Sequence, residues 1–390
     1  MANGTYSTST NPNLVSRHVY LRDNVYKNAD LSPLFFMLQK RGRVIKETHK
    51  KFEFVTVKLP TMKFRVENAD NTVTSLTVKT SESSLSYIRA GDIIRNLTTG
   101  EQMRVTDVTG KVLTVTRAYG ENNIAVAITS DSNNEFVNMG AAFEEGSYSP
   151  KGSIIPRGDD YNYSQTFRKK LKITRNKLRQ GGYGDNGKNS EERRANERRR
   201  ILKEHQNDIE KTLLFGVRNK SLLNDEEIFV TGGIFSTLKS NVLTITDPSK
   251  FTVGSIDAML GSMSDAGFGA GNNKVLMFGS GFNSRLNDNV IKVFGGSSST
   301  IIKEFGLSIN RVYTSYGQVD FMYNPVLSSL YPNTAVMLDL DTIYLHMIDE
   351  CQLKTNEQED GFDGVIDNYL TDCGLEINNE AANGIIHLNF

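Results

Sequence analysis

The stretch ERRRILKEHQNDIEKTLLFG, residues 197–216, sets His205 between Glu204 and Asp208, with Glu210 five residues on. A histidine among carboxylates is raw material for metal-assisted or general-base hydrolysis. A helical metalloprotease site needs two histidines at i and i+4, so that both imidazoles face one ion. The second histidine is absent from the run, and His205 reads as part of a helix stripe rather than a catalyst. GFGAGNNKV, residues 267–275, has the glycines of a phosphate loop. A phosphate cradle also needs a Lys-Ser/Thr pair and a following helix whose amides meet the anion. Here Lys274 precedes Val275 and the glycines lead into a strand, so a connecting loop is expected. Asp339, Asp341 and the run EQEDGFDGVID offer oxygens to a divalent ion, without the D-x-D-x-D-G order that curls them around calcium. A solvated acidic face, or a partner for a basic segment, fits them better. Cys351 and Cys373 have no His or Cys at ligand spacing and read as buried thiols. GSGFNS, from Gly279, falls short of a G-x-S-x-G nucleophile elbow. Nothing assembles a nucleophile, base and oxyanion hole, so no enzyme, cofactor or metal site is expected.

Composition narrows the classes further. The 390 residues carry 45 Lys+Arg and 45 Asp+Glu, a zero balance that argues against a freely diffusing nucleic-acid binder. Two cysteines are too few for a disulfide framework. The polar start MANGTYSTSTNPNLVSR lacks a signal peptide's apolar core, and no run approaches the ~20 apolar residues of a bilayer span. A chain made in a cytoplasm, with no membrane partner, is expected. The charges are nonetheless sorted. Residues 168–203 hold 14 Lys/Arg against 4 Asp/Glu, whereas residues 339–380 hold 12 Asp/Glu against Lys354 alone. Such sorting suits copies that meet through complementary patches, or two solvated faces.

The elements follow from periodicity. The first 30 residues, rich in Ser, Thr and Asn, read as an extended arm. KFEFVTVKLPTMKFRVEN alternates around Pro60 and reads as a long hairpin carrying Phe52 and Phe54. Short strands punctuated by Thr99-Gly100, Thr109-Gly110 and Tyr119-Gly120 read as a small β-module over about 66–130, inserted in that hairpin. Basic strands follow in FRKKLKITRNKL. Ser190 before Glu191 and Glu192 then marks a helix start. Ala195, Arg198, Leu202, His205, Ile209 and Leu213 recur at helical steps until Gly216, predicting a rod of about 39 Å over 190–215. Its first half carries Arg193, Arg194, Arg198, Arg199, Arg200 and Lys203 around a narrow apolar stripe. Ile256, Met259, Leu260 and Met263 predict a second amphipathic helix, and NSRLNDNVIKVFGG a third. NKVLMFGS, QVDFMYN, NTAVMLDL and TIYLHMI read as strands. Strands and helices do not alternate regularly, so the class is α+β.

The order of these parts resembles a tailed-bacteriophage major capsid protein of HK97-type fold. The nearest branch is the SU10-like family, with a β-module in its extended loop. AGDIIRNLTTGEQMRVTDVTGKVLTVTRAYGE carries most of the resemblance. YNYSQTFRKKLKITRN, IEKTLLFG, TGGIF, YGQVDFMYNP and LDLDTIYLHMI follow it in order. Where family members often have a tryptophan in the extended hairpin, this chain has Phe52-Glu53-Phe54 and no Trp.

The resemblance implies an N-terminal arm (1–50), an extended loop (51–150) and a peripheral domain (151–217) built on the spine helix. An axial domain (218–340) and a C-terminal return to the peripheral domain (341–390) complete it. It implies an icosahedral shell of hexamers and pentamers around double-stranded DNA, assembled in the host bacterial cytoplasm and located in the virion. The implied partners are further copies, a scaffolding protein, a portal, a decoration protein, and packaged DNA held non-specifically on the inner face. Arg193, Arg194, Arg198, Arg199, Arg200, Lys203, Phe52 and Phe54 become candidates for inter-subunit or lumen-facing roles. Competing readings are another virion component, such as a decoration or tube protein, and a DNA-binding enzyme using residues 168–203.

Overall fold

The computed structural model describes residues 32–57, 63–67, 69–79, 88–121, 123–129, 134–143, 145–146, 157–179, 190–265, 273–286, 299–304, 307–314 and 316–389. The chain forms two compact units, one of residues 1–56 with 159–390 and one of residues 57–158. The first opens with α1 (Pro33–Lys40), β1 (Val44–Lys46) and β2 (Lys51–Val57). Proline at the first helical position starts α1 because its fixed φ suits a helix and its missing N–H has no intrahelical acceptor.

The second unit contains β3 (Lys63–Arg65), β4 (Ser75–Thr77), β5 (Asp92–Asn96), β6 (Gln102–Thr109), β7 (Val112–Thr116) and β8 (Glu135–Ala141). They make one six-stranded sheet in the order β3-β8-β5-β6-β7-β4. Alternation puts Ile94, Met103, Val105, Leu113 and Val115 on one buried face with Phe64, Leu76 and Phe136. The unit is wider than the expected 66–130 because β3 and β8, on either side of that range, pair with each other, and β8 also pairs with β5.

The first unit resumes with β9 (Arg157–Tyr163), which pairs with β2, and β10 (Gln165–Thr174). Next come α2 (Arg175–Arg179), the long α3 (Ser190–Phe215), the hairpin β11 (Asn219–Leu223) and β12 (Glu226–Val230), and α4 (Ile234–Thr237). Beyond lie β13 (Val242–Ile245), α5 (Val253–Asp265), β14 (Asn273–Phe278), α6 (Ser280–Leu286), β15 (Ser299–Glu304), β16 (Leu307–Thr314) and β17 (Gly317–Tyr323). The last elements are α7 (Pro325–Leu330), β18 (Thr334–Asp339), β19 (Ile343–Thr355), β20 (Gly364–Ile377) and β21 (Gly384–Leu388). All three glycines of residues 267–275 and the tail of the third expected helix lie outside the described residues.

Two sheets organise this unit. A four-stranded sheet runs β1-β19-β20-β10, and a seven-stranded mixed sheet runs β13-β21-β18-β14-β17-β16-β15. The α+β class is therefore that of the molecule. The strand at the carboxyl end departs from the expected return to the spine-helix sheet. β21 lies between β13 and β18 in the seven-stranded sheet, where Ile385 and Ile386 are buried on both faces.

The long helix packs on the four-stranded sheet. Ile201, His205, Ile209 and Leu213 fall at four-residue steps and are buried, which is the stripe its sequence carries. Leu213 and Leu214 join Leu34, Phe35 and Leu38 of α1 and Val336, Leu338 and Leu345 of the strands in the largest core. Each such side chain contributes roughly 1.5–3 kcal/mol on burial. Gly216, directly after the helix, has to be glycine because a Cβ there would lie 2.5 Å from the Thr231 carbonyl oxygen.

Candidate functional site

The basic half of α3 meets the acidic strand β20. β10 and β20 pair antiparallel, and on each strand alternate residues face the helix. Asp367 is one of these, and its carboxylate is buried. Arg194 Nε donates to Asp367 Oδ2 at 2.8 Å, and Arg198 Nε to the same oxygen at 2.9 Å. Arg194 also donates to Asn356 Oδ1 at 2.7 Å, and the Asn356 backbone N–H donates to Asp367. Burial alone would push the Asp367 carboxyl up. Hydrogen bonds from Arg194, Arg198 and Asn356 outweigh it and hold the group at about 2.

One turn further, His205 is buried, with Nε2 2.8 Å from Thr371 Oγ1 and its ring set edge-on to Phe167. Burial lowers its basicity, the Asp208 charge opposes that, and Lys169 adds to it. No second metal ligand accompanies it, and a buried neutral imidazole with one hydroxyl partner is a packing group. Near the helix end, Glu210 is fully buried. Its oxygens accept the Leu34 N–H at 3.0 Å, the Phe35 N–H at 2.9 Å and Asn324 Nδ2 at 2.9 Å. The carboxylate thus caps α1 from 176 residues away, since Ser32 makes no side-chain cap. Asn324 in turn accepts the first N–H groups of α7. Burial raises the Glu210 carboxyl to about 7 against the pull of these three donors.

The remaining candidates separate. Arg194 and Arg198 are committed to Asp367 within the chain, so their charge is taken by this acid rather than presented whole to a neighbour. Arg199 is exposed and, among the described residues, reaches only Asn196, at 3.3 Å. Arg200 pairs with Glu197 on its own helix at 3.2 Å, and Lys203 is half-buried. Arg193 lies in the helix, and its side chain is outside the described residues. Phe52 is not a free loop residue. It is buried and stacks on the His346 ring, centroids 4.0 Å apart and planes 4° apart, while Phe54 is half-buried 6.4 Å from it. His346 Nδ1 lies 3.1 Å from Glu47 Oε1, and its Nε2 meets Glu376.

Part of the charge sorting read along the sequence is satisfied inside one chain, where Arg194, Arg198 and Arg175 of the basic run meet Asp367 and Asp363, and other acids of 339–380 take cations from elsewhere. Arg43 meets Asp341, Lys50 meets Asp372 at 2.6 Å, and Arg175 meets Asp363 at 3.4 Å. Asp339 accepts from Lys274 at 2.9 Å, both buried, which gives its oxygen a cation already. Among the described residues no group of three His, Cys, Asp or Glu gathers at metal-binding distance. In the sequence Glu210 and Asp367 stand only as acids, one near His205 and one closing EQEDGFDGVID. Neither their structural roles nor those of Asn324 and the buried pair Glu101–Arg117 are read there. The arginines on Asp367 lie 173 and 169 residues away, and the N–H groups on Glu210 lie 176 and 175 away. Arg117 lies 16 residues beyond Glu101, and only Asn324, directly before Pro325, carries a local capping signal.

The buried polar groups of this arrangement tie element to element, Glu210 joining α3 to α1 and Asp367 joining α3 to β20. Residues 3–389 match the family described as SU10 major capsid protein. The chain belongs to that family and is a phage major capsid protein. It is 26% identical over 307 residues to the major capsid protein of Pseudomonas phage PaMx41, covering 75% of this chain and 69% of that one. Among solved structures it is similar to those of Mycobacterium phage Bobi (10% identity, 98% of this chain and 99% of that, TM-score 0.47) and Mycobacterium phage Ogopogo (11%, 98% and 99%, 0.45). Among the described residues no helix is long and apolar enough to cross a membrane.

Proposed function

We propose that copies of this chain join head to tail into pentamers and hexamers and close an icosahedral shell around the double-stranded DNA of a tailed phage. The family match across residues 3–389 carries the reading. The shell role is structural, without catalysis, and assembly takes place in the host cytoplasm beside a scaffolding protein, a portal and a decoration protein. The HK97-type layout assigns the arm to 1–50 and the extended loop to 51–150. The peripheral domain is then the four-stranded sheet with α3, and the axial domain the seven-stranded sheet including β21. Each inter-subunit contact is modest, because only the surplus over ordering costs appears as affinity. Arg199, Arg200, Lys203 and Phe54 serve neighbours or face the lumen, where cations meet DNA phosphates without sequence preference. Arg199 supports this best, being exposed on a helix whose Arg194, Arg198 and Arg200 have partners inside the chain.

Negative-stain electron microscopy with sedimentation velocity tests it, using the purified chain alone and co-expressed with its genomic neighbours. Closed shells, or rings of five and six, are expected. A monomer under every condition that binds DNA at low salt overturns it.

A further inference from the structure

The hairpin β11–β12 leaves the end of α3 as a two-stranded sheet of its own, and β12 touches β10 of the four-stranded sheet. Asn224 and Asp225, at φ of 52° and 65°, form the left-handed two-residue turn that matches the twist of paired strands. Among the described residues the hairpin is anchored near its root, by the Phe229 ring 5.2 Å from Tyr163, by Arg218 on Asp160 and by contact of β12 with β10. Towards the tip, Leu222 is 70% exposed, Leu223 60% and Ile228 39%. The register sets Leu223 beside Glu226 and Ile228 beside Ser221 on one face, and Leu222 beside Glu227 on the other. A two-stranded ribbon with no packed face is marginal in water, and its outer edges carry unpaired backbone groups. Its tip is also acidic. Glu227 pairs with Lys220 at 2.7 Å, but Asp225 and Glu226 meet no cation among the described residues.

The same chain presents the complement elsewhere. On β10, Phe167, Leu171 and Ile173 face α3, so Arg168, Lys170 and Lys172 line the opposite face of the sheet. Arg168 and Lys170 are exposed and meet no carboxylate among the described residues, while Lys172 lies over the Phe362 ring. Leu370, half-buried, is directly opposite Arg168 in register and gives the stripe an apolar neighbour.

Resting on the assembly reading above, we infer that the 219–230 hairpin of one copy docks on the outer face of β10 in a second copy. Leu223 and Ile228, which share one face of the ribbon, pack beside Leu370, and Asp225 and Glu226 pair with Arg168 and Lys170. Ribbon and stripe are different patches of one chain, so the contact is heterologous. That is the type that closes into rings when repeated.

Charge reversal tests the pairing in the full chain, with rings and shells scored by sedimentation velocity and electron microscopy. D225K/E226K and R168E/K170E should each lower the assembled fraction about tenfold or more, the effect of some 1.4 kcal/mol per contact. The quadruple variant should recover assembly. L223S/I228S should lose assembly with an unchanged monomer melting curve, because both side chains are outside the core. Either double reversal assembling at the wild-type level, or a quadruple variant no better than the doubles, overturns the inference. So does an R168E/K170E shell that forms normally but loses DNA retention, which would give the stripe to nucleic acid. A wild-type chain that forms neither ring nor shell overturns the assembly reading with it. A wild-type chain that assembles, beside variants that also do, overturns this inference alone.

Discussion

Arg198 reaches the Asp367 carboxylate across the seam between the long helix and β20, with 2.9 Å between Nε and Oδ2. Arg194 meets the same carboxylate one helical turn earlier. Two cations on one buried anion fix the rotation of the helix on its sheet, because only one face of the rod brings both guanidiniums to Asp367.

Asp367→Asn removes that anchor and leaves two guanidiniums without their acceptor. Breaking one side of a buried pair costs about 3–5 kcal/mol, and the partly exposed arginines place this variant near the lower end. Denaturant titration should show the loss. The native group sits at about 2, below its ordinary value. Its contribution is therefore complete above the unfolded carboxyl's range and disappears as pH falls from about 4 through about 2. The variant should lose that acid-limb slope. A slope identical to wild type sinks the assignment.

Glu210 gives the opposite sign. Its carboxyl is raised to about 7, so between the unfolded value and 7 the folded chain holds a proton that the unfolded chain has released. Stability is then full below about 4.5 and falls by about 3 kcal/mol as pH rises through 7. Glu210→Gln should flatten this fall. The amide NH2 faces a backbone N–H in place of an acceptor oxygen, so α1 loses one cap and about 1 kcal/mol. Denaturant midpoints between pH 5 and 8 measure both effects.

In the unit formed by residues 57–158, Arg117 donates to both oxygens of the buried Glu101 at 2.7 and 2.8 Å. Burial pushes the Glu101 carboxyl up, and the Arg117 hydrogen bond with the Val126 and Ala118 N–H groups brings it below its ordinary range. Arg117→Met strands that charge and should cost this unit about 3–5 kcal/mol. Calorimetry should show one transition moving down by many degrees while that of the remaining chain stays in place. A uniform shift of the whole profile counts against an independent unit.

The parts legible in the sequence were those whose cause is local. The stripe from Ile201 to Leu213 obeys a helical period, and Thr99-Gly100 and Thr109-Gly110 announce tight turns between alternating strands. Asp367 was visible only as one acid among the 12 of residues 339–380. Nothing near it reports that residues 194 and 198 will lie above it. Phe52 alternates like any strand residue, and its commitment to His346 depends on a register between segments almost 300 residues apart. The place of β21 in the seven-stranded sheet was missed for the same reason, since GIIHLNF reads as a buried strand without naming its neighbours.

Gly374 shows how such a long-range contact constrains the chain. It lies opposite His346 in the β19–β20 register, beneath the Phe52 ring. A Cβ there would fall 2.7 Å from Phe52 Cε1 and 2.6 Å from the Tyr163 carbonyl oxygen, closer than atoms pack. The carbonyl belongs to backbone and cannot swing aside, so Gly374→Ala should force β2 and its Phe52 off the sheet. Overpacking of this kind costs about 1–3 kcal/mol. Phe52→Leu restores room on the ring side only. The double variant should therefore regain part of the loss, and the shortfall from full recovery measures the Tyr163 clash. Hydrogen exchange at β2 amides should rise in the single variant. Unchanged protection there, together with unchanged stability, means the ring does not rest on Gly374.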